Sequence, residues 1–249
     1  MVEAIPQRQG RLGPARIGFT RCHPAAGEPH VGPLTCPQPN FGLNTADPRP
    51  TVLENRRQLR QSVGAPIVWL EQYHSAQVAV IADDSEIGDG NAVRADAAIV
   101  SGNRAVAIQV ADCVPILLAD RSGRWRAGIH AGRTGLENEI IAATVEVLAD
   151  LGVAASELVA AIGPHICGRC YEVDEATYRQ CVQRHPDMAA RTSWGTLSLD
   201  QTAAALTQLQ RQGVEVAYQD GACTREDERL HSYRRLATSS GRNVGWIAP

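Results

Sequence analysis

Two apolar runs lie almost end to end in the middle of the chain: "RAVAIQV" at 104–110 and "CVPILLAD" at 113–120. Runs this rich in Val, Ile and Leu, without polar alternation, are typical of strands covered on both faces. The chain must therefore build a sheet with packed layers on either side. Asp112 and Cys113 lie at the junction of the runs. Pro115 lacks an N–H for the sheet ladder, which predicts a bulge or bend just after Cys113.

The remaining segments alternate between strand-like and helix-like patterns. Strand patterns occur at 66–71, 95–102, 124–132, 157–164, 214–220 and 242–249, and helix patterns at 45–59, 136–153, 174–185 and 198–213. We expect caps near Thr51, at Ser198 (with Gln201 completing a capping box) and at Gly152. Helices mixed with consecutive strands predict a mixed α/β sheet rather than a simple doubly wound one.

The domain organisation predicted from the sequence is simple. We expect residues 1–15 to form a flexible N-terminal tail and residues 16–249 to form a single catalytic domain. Within the latter, residues 23–42 mix prolines with glycines and are predicted to form a loop. A chain of 249 residues is long enough to bury a substantial core in one domain.

The composition argues against several classes of protein. The 24 Lys and Arg against 27 Asp and Glu give a net charge of −3, which disfavours a nucleic-acid partner. No apolar run approaches the ~18–20 residues that span a bilayer, and no secretory signal is apparent. Seven cysteines, an odd number, are typical of a reducing compartment. We expect a cytoplasmic monomer or homodimer with no membrane partner.

Polar residues with metal-binding chemistry end three of the apolar segments: His74, Cys113 and His130. In an α/β fold, functional residues gather at strand ends. A thiolate and two imidazoles would suit a catalytic zinc ion, because three protein ligands leave one position open. The three residues are far apart in sequence, so spacing alone does not establish a site. A buried cysteine and two hydrogen-bonded histidines are the alternative.

Asp112, next to Cys113, has two readings. Neighbouring side chains of an extended chain face opposite sides, so Asp112 would support a histidine ligand or anchor the bend at Pro115. The alternative is a catalytic carboxylate.

Several polar residues are candidates for substrate binding. Gln72 could bind substrate or simply end a strand. Arg234 and Arg235 could bind phosphate through their bidentate guanidinium groups or form surface ion pairs. For Arg56 and Arg57, on the early helix, we expect a solvated helix face.

Cys167 and Cys170 form a Cys-x-x-Cys pair that follows a predicted strand end. A redox pair of the thioredoxin type would need to open a helix, and a structural zinc ion would need a second pair of ligands. The other cysteines are isolated in sequence. The expectation is therefore a free or buried thiol near the pocket.

Six motifs occur in the order seen in the YfiH-like family, whose members were first labelled laccase-domain or polyphenol oxidase proteins. They are "LEQYHSAQV", "RADAAIVSG", "VADCVPILLAD", "GIHAGRTGL", "AIGPHICGRCYEV" and "HSYRR…TSSGRNVGWI", and "NFGLNTADPRPTVLENRRQL" also resembles the family's early segment. The resemblance covers roughly residues 15–249.

The resemblance implies a layered sandwich similar to the Cys-His toxin deamidases and a zinc-dependent purine nucleoside phosphorylase. Substrates would be adenosine, inosine, guanosine or methylthioadenosine with phosphate; the family is also associated with adenosine deamination. The family's metal ligands fall on His74, Cys113 and His130, with copper as the alternative metal. The chain departs from the family at Ser75, usually Gly, and at Arg133-Thr134, usually Trp-Arg, beside the pocket.

Two other chemistries compete with phosphorolysis. A cysteine hydrolase or amidase would use Cys113 as nucleophile and His130 as base, acting on an amide such as that of a peptidoglycan precursor. A copper-dependent phenol oxidase would need a blue copper site and a trinuclear cluster. Seven histidines are too few for that set of ligands.

Overall fold

The computed structural model describes residues 7–21, 39–81 and 92–249, which contain fourteen strands and six helices. The strands are β1 (Gln7–Leu12), β2 (Ala15–Thr20), β3 (Ile67–Glu71), β4 (Val78–Ile81), β5 (Ala92–Arg94), β6 (Ala97–Ser101), β7 (Ala105–Val110), β8 (Val114–Asp120), β9 (Trp125–Ala131), β10 (Leu158–Ile162), β11 (Ala189–Arg191), β12 (Leu197–Leu199), β13 (Glu215–Gln219) and β14 (Asn243–Ala248). The helices are α1 (Arg49–Val63), α2 (Arg133–Glu137), α3 (Ile140–Asp150), α4 (Glu175–Arg184), α5 (Gln201–Arg211) and α6 (Tyr233–Leu236).

Two six-stranded sheets form the centre of the domain. One has the order β1-β2-β14-β7-β3-β5 and the other β13-β10-β8-β9-β6-β4, while β11 and β12 form a small hairpin. Both large sheets are mixed: β7 pairs parallel with β3 and antiparallel with β14, and β10 pairs parallel with β13 and antiparallel with β8. The predicted mixed α/β class is confirmed.

Side-chain alternation along the central strands separates the core into layers. In β7, Val106 and Ile108 belong to the cluster between the two sheets, whereas Ala107 packs on the side that α1 covers. In β8, Leu117 faces the other sheet and Leu118 packs with residues of α3 and α5. The result is a four-layer α/β/β/α sandwich. Among the described residues, every helix is too short or too polar to cross a bilayer.

The junction between the two apolar runs is the point where the chain passes from one sheet to the other. Residues 111–113 form a bend, and Asp112 has φ 99°. The bend was predicted just after Cys113, but it lies at residues 111–113 and ends at Cys113. Pro115 is tolerated because it lies near the start of β8, opposite His130 of β9, where one missing donor interrupts little of the ladder.

The predicted helix at 136–153 is two helices. Glu139 adopts a left-handed conformation with φ 57°, which ends the hydrogen bonding of α2 before α3 begins. The predicted cap at Gly152 is confirmed: its φ is 84°, and the N–H of Val153 donates to Leu148 O at 3.0 Å. Apolar periodicity continues across the break, which is why the sequence pattern does not reveal it.

Two predicted helix caps are wrong. Asp200 caps α5 by accepting from the N–H groups of Thr202 and Ala203, whereas the Ser198 hydroxyl donates to a loop carbonyl. Helix α1 begins after Pro48 without a side-chain cap, and Thr51 lies inside it. Proline at the first turn already fixes a helical φ and lacks an N–H that would need a partner.

Residues 7–12, placed in the flexible tail by the sequence interpretation, form the edge strand β1. It pairs with β2 along its whole length through the turn at Gly13, whose φ is 61°. Leu12 is buried, and Trp246 Nε1 donates to Gln7 Oε1 at 2.7 Å. The Gln-rich and Arg-rich composition is compatible with an exposed edge strand. Residues 1–6 and 22–38, and with the latter most of the predicted loop, lie outside the described residues.

Candidate metal centre and substrate pocket

His74, Cys113 and His130 converge at the ends of three strands. His74 follows β3, Cys113 precedes β8 and His130 lies near the end of β9. The Cys113 sulfur is 3.7 Å from His74 Nε2, the ring centroids of the histidines are 4.8 Å apart, and one donor atom of each residue lies within 4.8 Å of the others. Three residues remote in sequence are thus side by side, with His130 buried and His74 exposed.

Gly132 leaves space for the side chains of Cys113 and His74. A Cβ atom at this position would lie 2.9 Å from the Cys113 sulfur and 2.9 Å from His74 Cδ2. Both distances are shorter than van der Waals contact. The backbone has an ordinary φ of −79°, so the requirement for glycine at this point is steric.

Asp96 is central to the site, and it is the functional residue that the sequence pattern did not reveal. Its buried carboxylate accepts from the N–H groups of Tyr73, His74 and Ser75, from the Ser75 hydroxyl and from His130 Nδ1. These bonds hold His74 in a left-handed conformation with φ 64°, which a non-glycine residue adopts only when its surroundings impose it. The signal that the sequence offers for Asp96 is an aspartate between two alanines, at the start of an apolar strand.

The protonation of His130 follows from its partner. Burial alone would raise the pKa of Asp96, but hydrogen bonds from His130 and Ser75 outweigh it and hold that pKa well below its usual range. The carboxylate is therefore ionised and accepts a hydrogen bond from Nδ1–H, which leaves Nε2 of His130 directed at the site. This carboxylate–histidine arrangement is typical of zinc ligands.

The thiol of Cys113 is activated by the two imidazoles. Burial would raise its pKa, but the charge of His130 and hydrogen bonds from His130 and His74 lower it to about 6. Burial would likewise lower the pKa of His130, while the Cys113 thiolate and Asp96 raise it to about 9. Without a metal, the two residues form a thiolate–imidazolium pair near neutral pH.

Asp112 lines the pocket, and both of its carboxylate oxygens are hydrogen-bonded to other parts of the protein. One carboxylate oxygen accepts from the Thr224 hydroxyl and the other from the Arg234 N–H, both at 2.7 Å. These bonds fix the strained bend before Cys113. Of the two readings of Asp112, the contacts favour the supporting one over the catalytic one.

A cavity of about 650 Å³ opens beside the three residues, within the range of about 300–1,000 Å³ typical of ligand pockets. Its described walls carry several arginines and two tyrosines. They include Arg49, Arg56, Arg234, Arg242, Tyr171 and Tyr233.

Arg234 lies at the edge of the pocket, and its role in phosphate binding stays a prediction. Its guanidinium stacks over the Tyr171 ring at 4.7 Å, and Nη1 donates to Glu172 O at 2.7 Å. Arg235 lies elsewhere: its guanidinium donates to backbone carbonyls of the loop from Thr224 to Leu230. The two adjacent arginines therefore have different roles.

Gln72 lines the pocket, but its side-chain amide is already paired. It donates to Gln109 O at 2.7 Å and accepts from the Gln109 N–H at 2.9 Å, which joins it to β7. These bonds support the reading of Gln72 as a residue that ends a strand.

The expected solvated face of α1 is wrong for Arg56. This residue is buried, donates twice to Phe41 O, and stacks over Trp69 at 4.0 Å. Arg57 is the exposed member and pairs with Glu54. At the position where the family usually has tryptophan, Arg133 pairs with Glu137 and lines an adjoining cavity of about 470 Å³.

The donor set fits a zinc ion. A thiolate and two neutral imidazoles are borderline-soft ligands of the kind zinc binds, and a site with three protein ligands keeps a position open toward the pocket. The His₂Cys set also accepts copper. The geometry supports a metal site without distinguishing between the two metals.

Fold and pocket together define the class of protein: a single-domain α/β/β/α sandwich with a Cys-His-His cluster beside a deep cavity. The chain belongs to the family described as "Multi-copper polyphenol oxidoreductase laccase", whose model matches residues 30–249. The resemblance to the YfiH-like group is thereby confirmed.

Curated relatives carry a different name from the family description. A purine nucleoside phosphorylase of Streptomyces coelicolor is 41% identical over 213 residues, which cover 84% of this chain and 86% of the relative. One of Corynebacterium glutamicum is also 41% identical, covering 84% of this chain and 85% of the relative.

Solved structures share the architecture. YlmD from Geobacillus stearothermophilus superposes with a TM-score of 0.79 at 28% identity, covering 99% of both chains. Bacillus licheniformis YfiH superposes with a TM-score of 0.83 at 22% identity, covering 100% of this chain and 98% of that one, and this likeness concerns the fold alone. The expected likeness to toxin deamidases stays a prediction.

Proposed function

We propose that this protein is a purine nucleoside phosphorylase whose pocket binds a nucleoside and phosphate beside a zinc ion held by His74, Cys113 and His130. The observation that carries the proposal is the 41% identity, over most of both chains, to relatives with that name. The pocket supports it, because cationic side chains and metal-binding residues line the same cavity. Adenosine, inosine, guanosine and methylthioadenosine are the proposed substrates. The relatives' names extend to phosphorolysis and not to deamination.

In this reaction a phosphate oxygen bonds to the ribose anomeric carbon as the bond from that carbon to the purine nitrogen breaks. The purine leaves with the bonding electron pair and a proton, and ribose 1-phosphate remains. The transition state resembles an oxocarbenium ion, as in glycoside cleavage. The protein must therefore hold an anion against the sugar and position the base.

Arginines on two segments suit the anion. Arg234 uses Nη1 for Glu172 O, and the described hydrogen bonds of Arg242 use only its Nη1, toward Ser240 O and Gly241 O. Both arginines line a cavity that Arg49 also lines. Guanidinium groups bind phosphate oxygens in pairs. We assign phosphate binding to Arg234 and Arg242.

The zinc ligands lie on the wall of this cavity. When bound, zinc supplies Lewis-acid polarisation of an oxygen ligand. The chain's own contribution is positional: Asp96 orients His130 and Asp112 fixes the bend that carries Cys113. Gly132 leaves room for the side chains of Cys113 and His74. The exposed ring of Tyr233 offers a flat surface for a purine.

The test is a phosphate-dependent assay of base release. The zinc-loaded protein should release hypoxanthine from inosine, or adenine from adenosine, only when phosphate is present, and Cys113→Ser should lose this activity. Cys181→Ser is the matched control, because Cys181 is a buried thiol that is hydrogen-bonded to Glu137 outside the pocket. Absence of base release, or release that does not require phosphate, would contradict the proposal.

One observation favours a second candidate function. Asp96, His130 and Cys113 form a chain of contacts like that of a cysteine nucleophile, its base and an orienting carboxylate. A cysteine hydrolase would use this arrangement without metal, on an amide such as that of a peptidoglycan precursor. Metal content and thiol reactivity distinguish the two functions. A Cys113 bound to zinc resists iodoacetamide, whereas a metal-free nucleophilic thiolate reacts quickly.

A further inference from the structure

A second group of metal-binding side chains lies in two loops outside the pocket. The Cys-x-x-Cys pair, Cys167 and Cys170, meets Cys223 and Glu226, which form a Cys-x-x-Glu pair of the same spacing. One donor atom from each residue lies within 4.8 Å of the other three. In the sequence alone, no second cysteine pair accompanies Cys167 and Cys170, because one member of the partner pair is a glutamate.

Both loops have the compact shape that presents two ligands from one turn. The Cys170 N–H donates to Cys167 O at 2.9 Å, and the Glu226 N–H donates to Cys223 O at 3.1 Å. The loops also contact each other through ligand atoms: Cys170 Sγ is 3.4 Å from Glu226 Oε1, and the Cys167 N–H donates to Cys223 Sγ at 3.4 Å.

The charges around the group also suit a metal. Three thiolates and a carboxylate carry more negative charge than one divalent ion neutralises. Each loop contributes an arginine between its two ligands: the Arg169 guanidinium is 3.8 Å from Glu226, and Arg225 donates to Cys170 O at 3.4 Å. The two arginines therefore place positive charge beside the excess negative charge that the bound ligands would carry.

We propose that Cys167, Cys170, Cys223 and Glu226 bind a structural zinc ion, distinct from the candidate metal centre at the pocket. Four protein ligands with thiolates in the majority define a closed tetrahedral site, which is the structural pattern for zinc. Soft sulfur ligands select zinc over magnesium or calcium. Binding releases the thiol protons to solvent, and neither the ion nor the ligands change oxidation state.

The two loops support the bend at the pocket. Thr224, next to Cys223, donates its hydroxyl to Asp112 and its N–H to His165 O at 2.9 Å, and Ile166 donates its N–H to Asp112 O at 2.9 Å. An ion joining the loops would therefore stabilise Asp112 and, through it, the position of Cys113.

The test is the zinc content of the full-length protein in a Cys113→Ser background, measured after expression with zinc and gel filtration. Cys113→Ser should retain about one zinc ion per chain, and Cys113→Ser/Cys223→Ser should retain none. Cys113→Ser/Cys181→Ser, which removes a buried thiol outside both groups, should retain about one. These values do not depend on any catalytic activity, so they are separable from the proposed function.

A second variant covers the case in which Cys223→Ser does not fold. The Glu226 side chain is 49% exposed, so Glu226→Gln leaves the core intact. In the Cys113→Ser background, this change should weaken zinc binding at least about tenfold, which is the loss typical even of residues that only support a ligand. Cobalt bound to Cys113→Ser should show thiolate charge-transfer absorption. Three results would overturn the proposal. They are a folded Cys113→Ser protein that contains no zinc, a zinc affinity that Glu226→Gln leaves unchanged, and a disulfide among the three cysteines in freshly purified protein.

Discussion

Asp96 Oδ1 and His130 Nδ1 lie 2.8 Å apart, and both side chains are buried. The same carboxylate accepts the N–H groups of Tyr73, His74 and Ser75. One buried group therefore fixes the ring of one candidate ligand and the backbone of another. Cys113 completes the cluster from a third segment.

Asp96→Asn should weaken zinc binding at the pocket by about 10–100-fold, the range typical of residues that orient a ligand. Every contact of the carboxylate is with a donor, so the amide nitrogen of asparagine would face N–H or O–H groups. The measurement is zinc competition with a chromophoric chelator. Asp150→Asn, at the exposed end of α3, is the control. An unchanged affinity in a folded Asp96→Asn protein would contradict this role of Asp96.

Gly132→Ala should disrupt the pocket metal site, because the added Cβ would lie 2.9 Å from both the Cys113 sulfur and His74 Cδ2. We expect loss of most pocket zinc and a fall in stability of about 1–3 kcal/mol, typical of overpacking. Gly10→Ala is the matched control, since its Cβ would meet only Ile17 at 3.8 Å. Metal analysis and thermal unfolding check both variants; normal zinc content in Gly132→Ala would show that the close approach does not matter.

Alkylation of Cys113 in metal-free protein should depend on pH with a midpoint near 6. The reactive species is the thiolate, so the rate rises as pH passes the lowered pKa of Cys113, about 6, and levels off above it. His130→Ala removes the positive charge that lowers this pKa, so the midpoint should move to higher pH. Iodoacetamide labelling followed by peptide mass spectrometry gives the rates. A midpoint near the ordinary cysteine value of about 8.5 would contradict the predicted activation.

Arg56→Lys should destabilise the fold by about 1.5–3 kcal/mol, the range for hydrogen bonds to a charged group. Lysine cannot reproduce the paired donation to Phe41 O or the planar stacking on Trp69. Arg57→Lys is the control: the Arg57–Glu54 pair is exposed, so the change should be about 0–1 kcal/mol. Denaturant unfolding measures both. Equal effects in the two variants would show that burial of Arg56 adds no stability.

The sequence pattern predicts those elements whose cause is local. The runs that became β7, β8, β9 and β14 are apolar enough to require burial on both faces, and their strand assignments agree with the structure. The break at Glu139 was not predictable, because the apolar period runs through it and only the backbone conformation changes.

The site could be predicted only in part, because its geometry depends on contacts distant in the chain. The candidate ligands end recognisable strands, but Asp96 is a single charge whose five donors come from two other segments. Arg56 and Arg57 are adjacent and chemically identical, and only the packing of Phe41 and Trp69 makes the first a buried donor. Cys-x-x-Glu at 223–226 becomes noticeable once the fold brings it to Cys-x-x-Cys.

The most direct test of the central claim is anomalous X-ray scattering at the zinc edge from crystals of the zinc-loaded protein. We expect an anomalous peak in the pocket about 2.3 Å from the Cys113 sulfur and about 2.0–2.1 Å from a ring nitrogen of both His74 and His130. A fully loaded protein without a peak among these three atoms would contradict it.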